Sequence, residues 1–281
     1  DGAGILAIDE TCFLKKGHES AGVARQYCGL TGQIENCQVA VFMAYLSSRG
    51  QALIDRRLYL PKSWSSSPNR RKKAKISRKT KFATKTGLAK RMLQSASIEG
   101  LRPAWFVADE VYSRDASFWR WLEQTLQQPY VLTVSKRQST IIDFQVCYAE
   151  KLLETVKSED WQQLSCGAET KRERYSAWAS VRLSCIQPEG FSRWFLFRRD
   201  FIKESKSYTY SYYQAFAPSN TSLETLVWVA GQRWRIEECF QFGKSHLGLA
   251  DARSSFLDWL ASSHSFGYGS RSFFICLALS T

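Results

Sequence analysis

Gly4-Ile5-Leu6-Ala7-Ile8 is an unbroken apolar run that meets its first charges at Asp9-Glu10. Such a run predicts a strand buried on both faces and ending at the acidic pair. Ala104-Trp105-Phe106-Val107-Ala108 repeats the pattern and also ends in Asp-Glu, at Asp109-Glu110. Between them, residues 23–28 and 37–45 are rich in β-formers and are separated by Gly29 and Gly32, which predicts an antiparallel meander. Residues 86–97 carry Leu88, Met92 and Leu93 on one side and stop at Gly100, so a helix is expected there. A shorter helix over residues 115–124, with Phe118, Trp119 and Leu122 inward, leads to a strand over residues 130–134. Three strands, helix, strand, helix, strand is the order of a mixed α/β layer architecture.

Residues 137–215 break that rhythm. Residues 175–183, 194–201 and 208–216 are aromatic and β-branched, which predicts strands of a β-rich insertion. Helical spacing returns after Thr221 or Ser222, either of which suits an N-cap, with Glu224 in the first turn. Three parts follow: the first portion of a catalytic core (1–136), the insertion (137–216) and a helical C-terminal portion of the core (217–281). No internal repeat is visible. The chain opens directly into a strand without Met and closes on an apolar stretch, Phe274 to Leu279, as if both ends were cut from a longer protein.

Composition narrows the picture. With 44% hydrophobic and 14% aromatic residues in 281, a sizeable core is expected and global disorder is not. No apolar run approaches the roughly 18 residues needed to span a bilayer, so no membrane partner is expected. Eight dispersed cysteines without a Cys-x-x-Cys pair, and three histidines without ligand spacing, argue against structural zinc. They read as reduced thiols of a cytoplasmic protein. The net charge of +13 is concentrated: 14 of the 39 Lys and Arg lie between Arg56 and Ile98 with no acid among them, leaving 25 basic against 26 acidic residues elsewhere. The segment is densest at Arg70, Arg71, Lys72, Lys73 and Lys75, in what reads as an exposed loop over residues 65–82. A basic loop of this kind suits a nucleic-acid backbone, although a solvated surface loop shows the same composition.

The chemistry is carried by acids. Two buried strands ending in Asp9 and Asp109, if neighbours and parallel, bring their carboxylates together at the carboxyl edge of a sheet. Paired carboxylates suit a hard divalent cation that takes oxygen ligands, while turn or cap roles are the ordinary alternative. Farther on, residues 232–244 read as a helix with Arg233, Glu237 and Lys244 on one face. That stripe is able to ligate a metal and hold phosphates, or to be a plain surface salt-bridge stripe. Glu238 is the rival of Glu237.

The arrangement Arg-x₃-Glu-x₆-Lys resembles the later part of the Tyr-Arg-Glu-Lys signature of insertion-sequence DDE transposases. Ile8-Asp9-Glu10-Thr11 with Phe13-Leu14-Lys15-Lys16-Gly17 resembles the opening of their DDE superfamily endonuclease subgroup. So do residues 22–27, residues 34–39, Phe82-Ala83-Thr84-Lys85, Ala108-Asp109-Glu110-Val111-Tyr112 and Arg233-Trp234-x-Ile236-Glu237-Glu238-x-Phe240. The resemblance runs from about residue 4 to 250 and departs at Ala230, where the signature has Tyr, and at Ala250, where Asp is expected. It implies a ribonuclease H-like mixed sheet flanked by helices and interrupted by a β-rich insertion. It also implies Asp9, Asp109 and Glu237 as catalytic ligands of two Mg²⁺ or Mn²⁺ ions, with Arg233 and Lys244 holding the DNA end. The implied reaction is phosphodiester hydrolysis at element ends and strand transfer into double-stranded target DNA. A homodimer in the DNA complex and a bacterial, nucleoid-associated setting go with it. A ribonuclease H-like nuclease or resolvase without strand transfer, and a decayed DNA-binding remnant, are the other readings these residues leave open. The histidines have bland readings, and the aromatics of the insertion, including Trp194, Tyr208, Tyr210, Tyr212 and Tyr213, are expected mostly in the strand core rather than in a base-stacking platform.

Overall fold

The computed structural model describes residues 3–142, 145–169, 172–246 and 275–277. In chain order the elements begin with β1 (Ile5–Leu14), β2 (Ala24–Cys28), β3 (Gln33–Ser47) and β4 (Gly50–Tyr59). The helices α1 (Lys62–Ser65), α2 (Pro68–Lys73) and α3 (Lys85–Ile98) follow. Next come β5 (Trp105–Ala108), α4 (Glu110–Ser113), α5 (Ala116–Trp121) with a π-helical turn (Leu122–Leu126), and β6 (Tyr130–Val134). The small hairpin β7 (Ser139–Ile142) and β8 (Gln145–Tyr148) leads to α6 (Ala149–Leu153). Then come β9 (Gln162–Glu169), β10 (Arg172–Leu183), β11 (Phe191–Ile202) and β12 (Ser207–Pro218). The last are α7 (Leu223–Gln232), α8 (Trp234–His246) and β13 (Ile275–Leu277).

Two compact units divide the chain, and the boundary passes through β1. The first holds residues 1–7 and 102–234. Its strands run in the order β1-β5-β6-β12-β11-β10-β9, with β5 and β6 parallel and β6, β12, β11, β10 and β9 antiparallel in turn. The strands expected over residues 175–183, 194–201 and 208–216 are present, and β12 joins β6 with Tyr212 opposite Val134 and Phe216 opposite Tyr130. A buried polar network ties these strands: Arg193 of β11 forms an ion pair with Glu123, which also accepts from the Tyr130 hydroxyl at 2.5 Å. Gln214 of β12 donates to the Tyr130 oxygen at 2.7 Å. Each polar group has a partner, as burial requires. Trp194 is a core residue and Tyr213 is half-buried, whereas Tyr208 and Tyr210 keep substantial exposure, 50% and 39%.

The second unit, residues 8–101 and 235–281, carries the remainder of β1, the antiparallel β3–β4 pair, β2 antiparallel to the start of β3, and β13 antiparallel to β4. Its α3 is capped by the Thr84 hydroxyl, which accepts from Gly87 N at 3.0 Å. Parallel and antiparallel pairing in one helix-flanked sheet is the mixed α/β architecture expected of a ribonuclease H-like core.

Four expectations are corrected here. First, β1 does not end at Asp9 but continues to Leu14, so Asp9 is an interior strand residue; an apolar run marks only the part of a strand that needs no polar partners. Second, β4 carries Asp55-Arg56-Arg57 in its middle, which interrupts any apolar pattern, and it was not expected at all. Third, the basic segment is not an open loop. Trp64 is buried, its indole N–H donates to Val23 O at 2.7 Å, and the Arg70 guanidinium lies 3.9 Å from its ring centroid. Fourth, not every cysteine described is a reduced thiol: β1 and β2 bring Cys12 and Cys28 to a Cα–Cα distance of 5.7 Å, and they form a disulfide. Residues 247–274 and 278–281 lie outside the described residues, and with them the departure at Ala250, His264 and most of the apolar C-terminal stretch.

Candidate active site

In β1 successive side chains point to opposite faces, so Asp9, Thr11 and Phe13 share one face and Glu10 and Cys12 the other. The carboxylates of Asp9 and Glu10 nevertheless bring oxygens within 4.8 Å of each other. On the second face Glu10 accepts from Lys85 of α3 at 2.5 Å, and Cys12 reaches Cys28. On the first face the Lys244 ammonium of α8 donates to Thr11 Oγ1 at 2.5 Å and lies 5.8 Å from the Phe13 ring centroid. Asp9 itself is 9% exposed, and its Oδ1 accepts from Glu10 N at 2.7 Å.

The axial rotation of α8 is set by its other contacts. Arg235 donates to Gln51 Oε1 at 2.7 Å and to the carbonyls of Ser47 and Gly50 at 3.0 and 3.3 Å, all at the β3–β4 turn. Glu238 accepts from Gln51 Nε2 at 3.0 Å, and Phe240 meets Phe42 edge-on at 5.4 Å. Glu237 is about 100° of helical rotation from Glu238 but only about 20° from Lys244, seven residues on. The helix therefore turns Glu238 to the hairpin and Glu237 to the stripe that Lys244 lays on the Asp9 face of β1. Sequence reasoning left these two glutamates as rivals, and of the two it is Glu238 that accepts from Gln51. Arg233 does not belong to this helix: it caps the end of α7, and α8 begins at Trp234.

Burial acts on the cations of α8. Half-buried against β1, Lys244 has its pKa lowered from 10.5 to about 8, with burial as the cause. Burial also lowers Arg235, against the opposing pull of Glu238.

Asp109 immediately follows β5 in the first unit and serves as the N-cap of α4, its Oδ1 accepting from Val111 N at 2.9 Å. A carboxylate has further lone pairs, so capping and metal ligation are compatible. Glu110 pairs with Arg114 at 2.6 Å on the surface.

The expected DNA-contacting cations fall into two kinds. Lys72, Lys73 and Lys75 are exposed. Arg70 and Arg71 are half-buried braces: Arg70 donates to His18 O at 3.1 Å, and Arg71 donates to Ser77 O and Thr80 O at 2.6 and 2.7 Å. Thr11 and Lys85 escaped notice as site residues. The period of two from Asp9 marks Thr11 as sharing its face, while nothing local to Lys85 announces Glu10 as its partner.

A family model for the DDE superfamily endonuclease matches residues 1–178. The chain belongs to the DDE superfamily endonucleases. Asp9 and Asp109 lie within the matched residues of this endonuclease, and Glu237 lies beyond them. No curated protein matches the chain. Among solved structures, it is similar to a chain in the cryo-EM structure of a piggyBac transposase synaptic complex with hairpin DNA, at 10% identity and a TM-score of 0.42. The similarity covers 85% of this chain and 40% of that one. Among the described residues no helix is long and apolar enough to cross a membrane.

Proposed function

We propose that this endonuclease is the catalytic part of a DNA transposase, in which Asp9, Asp109 and Glu237 hold two divalent ions, Mg²⁺ or Mn²⁺. The observation that carries the reading is the seating of α8: the Lys244–Thr11 hydrogen bond lays this helix on the Asp9 face of β1, with Glu237 on the same stripe as Lys244. Asp109 directly follows β5 and caps α4, at the carboxyl end of a buried strand where the sequence expects a ligand. The donor set fits a hard cation, because all three ligands are carboxylate oxygens. Glu238 accepts from Gln51, whereas Glu10 pairs with Lys85 and also offers an oxygen within 4.8 Å of one on Asp9, so it is able to assist with the metal. Bound there, divalent ions supply an activated oxygen nucleophile and stabilise the leaving oxygen of a phosphodiester.

The protein's own part is to bind and orient DNA. Lys244 and Arg233 hold phosphates of the element end, and Lys72, Lys73 and Lys75 meet the backbone away from the cut. Cleavage exposes a 3′-hydroxyl that is then joined to target DNA, and handling two ends together calls for a homodimer in the complex.

The test is cleavage of an end-sequence duplex by the full-length protein in Mg²⁺ or Mn²⁺. Asp9→Ala, Asp109→Ala and Glu237→Ala should each lower the rate by at least about a thousandfold, roughly 4 kcal/mol of barrier. Glu238→Gln should retain most of the rate. Persistent nicking by any of the three alanine variants refutes the ligand set. Nicking without joined product from a pre-cleaved end identifies a nuclease rather than a transposase.

A further inference from the structure

Thr11 is a hydroxyl on a buried strand, 5% exposed, between the Asp9-Glu10 pair and Cys12-Phe13 of β1. A polar group kept there is costly unless it is satisfied, and the ammonium of Lys244 satisfies it. The benefit also runs the other way. Lysine carries its charge on a flexible four-carbon stem and offers three N–H donors. One is fixed by the Thr11 oxygen, while the Phe13 ring flanks the charge at 5.8 Å. Thr11 is an apt anchor because it is β-branched, stiff about χ1 and held in a strand. Asp9 sits two residues earlier on the same face, about 7 Å along the strand.

We infer that Thr11 is a positioning residue: its hydroxyl fixes the Lys244 ammonium beside Asp9, so that the lysine meets a phosphate of the DNA end in a set place. The inference rests on the transposase reading for its DNA ligand but not for the Thr11–Lys244 contact itself. Valine matches threonine in shape and lacks the hydroxyl, while serine keeps the hydroxyl and lacks the methyl. These two substitutions separate positioning from packing.

The experiment uses the full-length protein, its Thr11→Val and Thr11→Ser variants, and Thr11→Ala as a second hydroxyl-free form should the valine variant not fold. Two quantities are read: affinity for an end-sequence duplex, and the pH at which Lys244 becomes reactive to an acylating reagent, followed by mass spectrometry. Loss of the hydroxyl should weaken end binding about tenfold and lower the labelling midpoint by about one pH unit, because the oxygen favours the charged amine. Thr11→Ser should restore both. Parent-like labelling and binding in Thr11→Val overturn the inference, as does an equal loss in Thr11→Ser, which would assign the effect to the methyl group. If the parent neither binds nor cuts the end duplex, the transposase reading fails, and the labelling midpoint still decides the role of Thr11.

Discussion

Lys244 is held partly out of water on β1, and this has a consequence for pH. A lysine with its usual pKa of 10.5 stays charged throughout the range where enzymes are assayed, whereas at about 8 it loses its proton within that range. The folded state then binds fewer protons than the unfolded chain between those two values. This lysine therefore opposes folding at and below about pH 8, and its opposition fades as the pH rises toward 10.5. Phosphate binding needs the charged form, so function and stability pull in opposite directions here. The affinity advantage of the parent over Lys244→Gln for an end duplex should be full at pH 6.5 to 7 and shrink as the pH rises through about 8. An advantage that stays constant to pH 9.5 would show that the ammonium keeps its charge throughout. The neighbouring glutamates also show what a single residue's surroundings decide. Glu237 and Glu238 are indistinguishable by type, and the Gln51 amide that Glu238 meets lies 187 residues away in sequence.

At the scale of elements, α7 depends on having no side chain at Gly231. A Cβ built there would lie 1.9 Å from the Cys166 carbonyl oxygen of β9, and backbone has no rotamer by which to retreat. Glycine costs an exposed helix interior about 1 kcal/mol relative to alanine, so Gly231→Ala would ordinarily stabilise. Here overpacking outweighs the propensity gain, and a net loss of about 1–3 kcal/mol is expected. Urea unfolding of the variant checks it, and a rise in stability would mean that α7 and β9 stand farther apart. What could be read from sequence at this scale follows the same physics. β5, β6, α3 and the three long strands of the insertion were legible because each has an apolar period of its own. Asp9 and Asp109 were legible as acids closing such runs, although β1 in fact continues past its acid. β4 was hidden because its central charges break the period, Asp55 pairing with Arg57 at 3.3 Å. The boundary between α7 and α8 was hidden too, since Arg233 and Trp234 fit either a bend or a continuous helix.

For the whole molecule, charge is the property that sequence displayed most openly and structure most altered. The excess of +13 is accounted for by residues 56–98, yet the cations there do unlike things. Arg71 stitches two backbone carbonyls of its own segment, and Arg70 covers Trp64 and reaches His18 O. Removing Arg71 leaves the half-buried Thr80 carbonyl unmatched, and removing Arg70 uncovers Trp64, a structural penalty of about 1 kcal/mol each that does not depend on DNA. Lys72, Lys73, Lys75 and Lys79 are exposed, and charge is their main contribution. A phosphate contact releases condensed counterions, so each one lost should reduce the slope of log affinity against log salt by about 0.9 on duplex DNA. Replacing these four lysines with Gln should therefore flatten the salt dependence while leaving the unfolding midpoint nearly unchanged. Arg70→Gln with Arg71→Gln should lower the unfolding midpoint, with much less effect on the slope once folded protein is compared. The reverse outcome, a flat slope from the arginines and none from the lysines, would place the phosphates against Arg70, Arg71 and Trp64 rather than against the exposed lysines. Neutralising all four residues Arg70, Arg71, Lys72 and Lys73 together would mix the two effects. Separating braces from rim charges is what makes the salt slope a clean count of phosphate contacts.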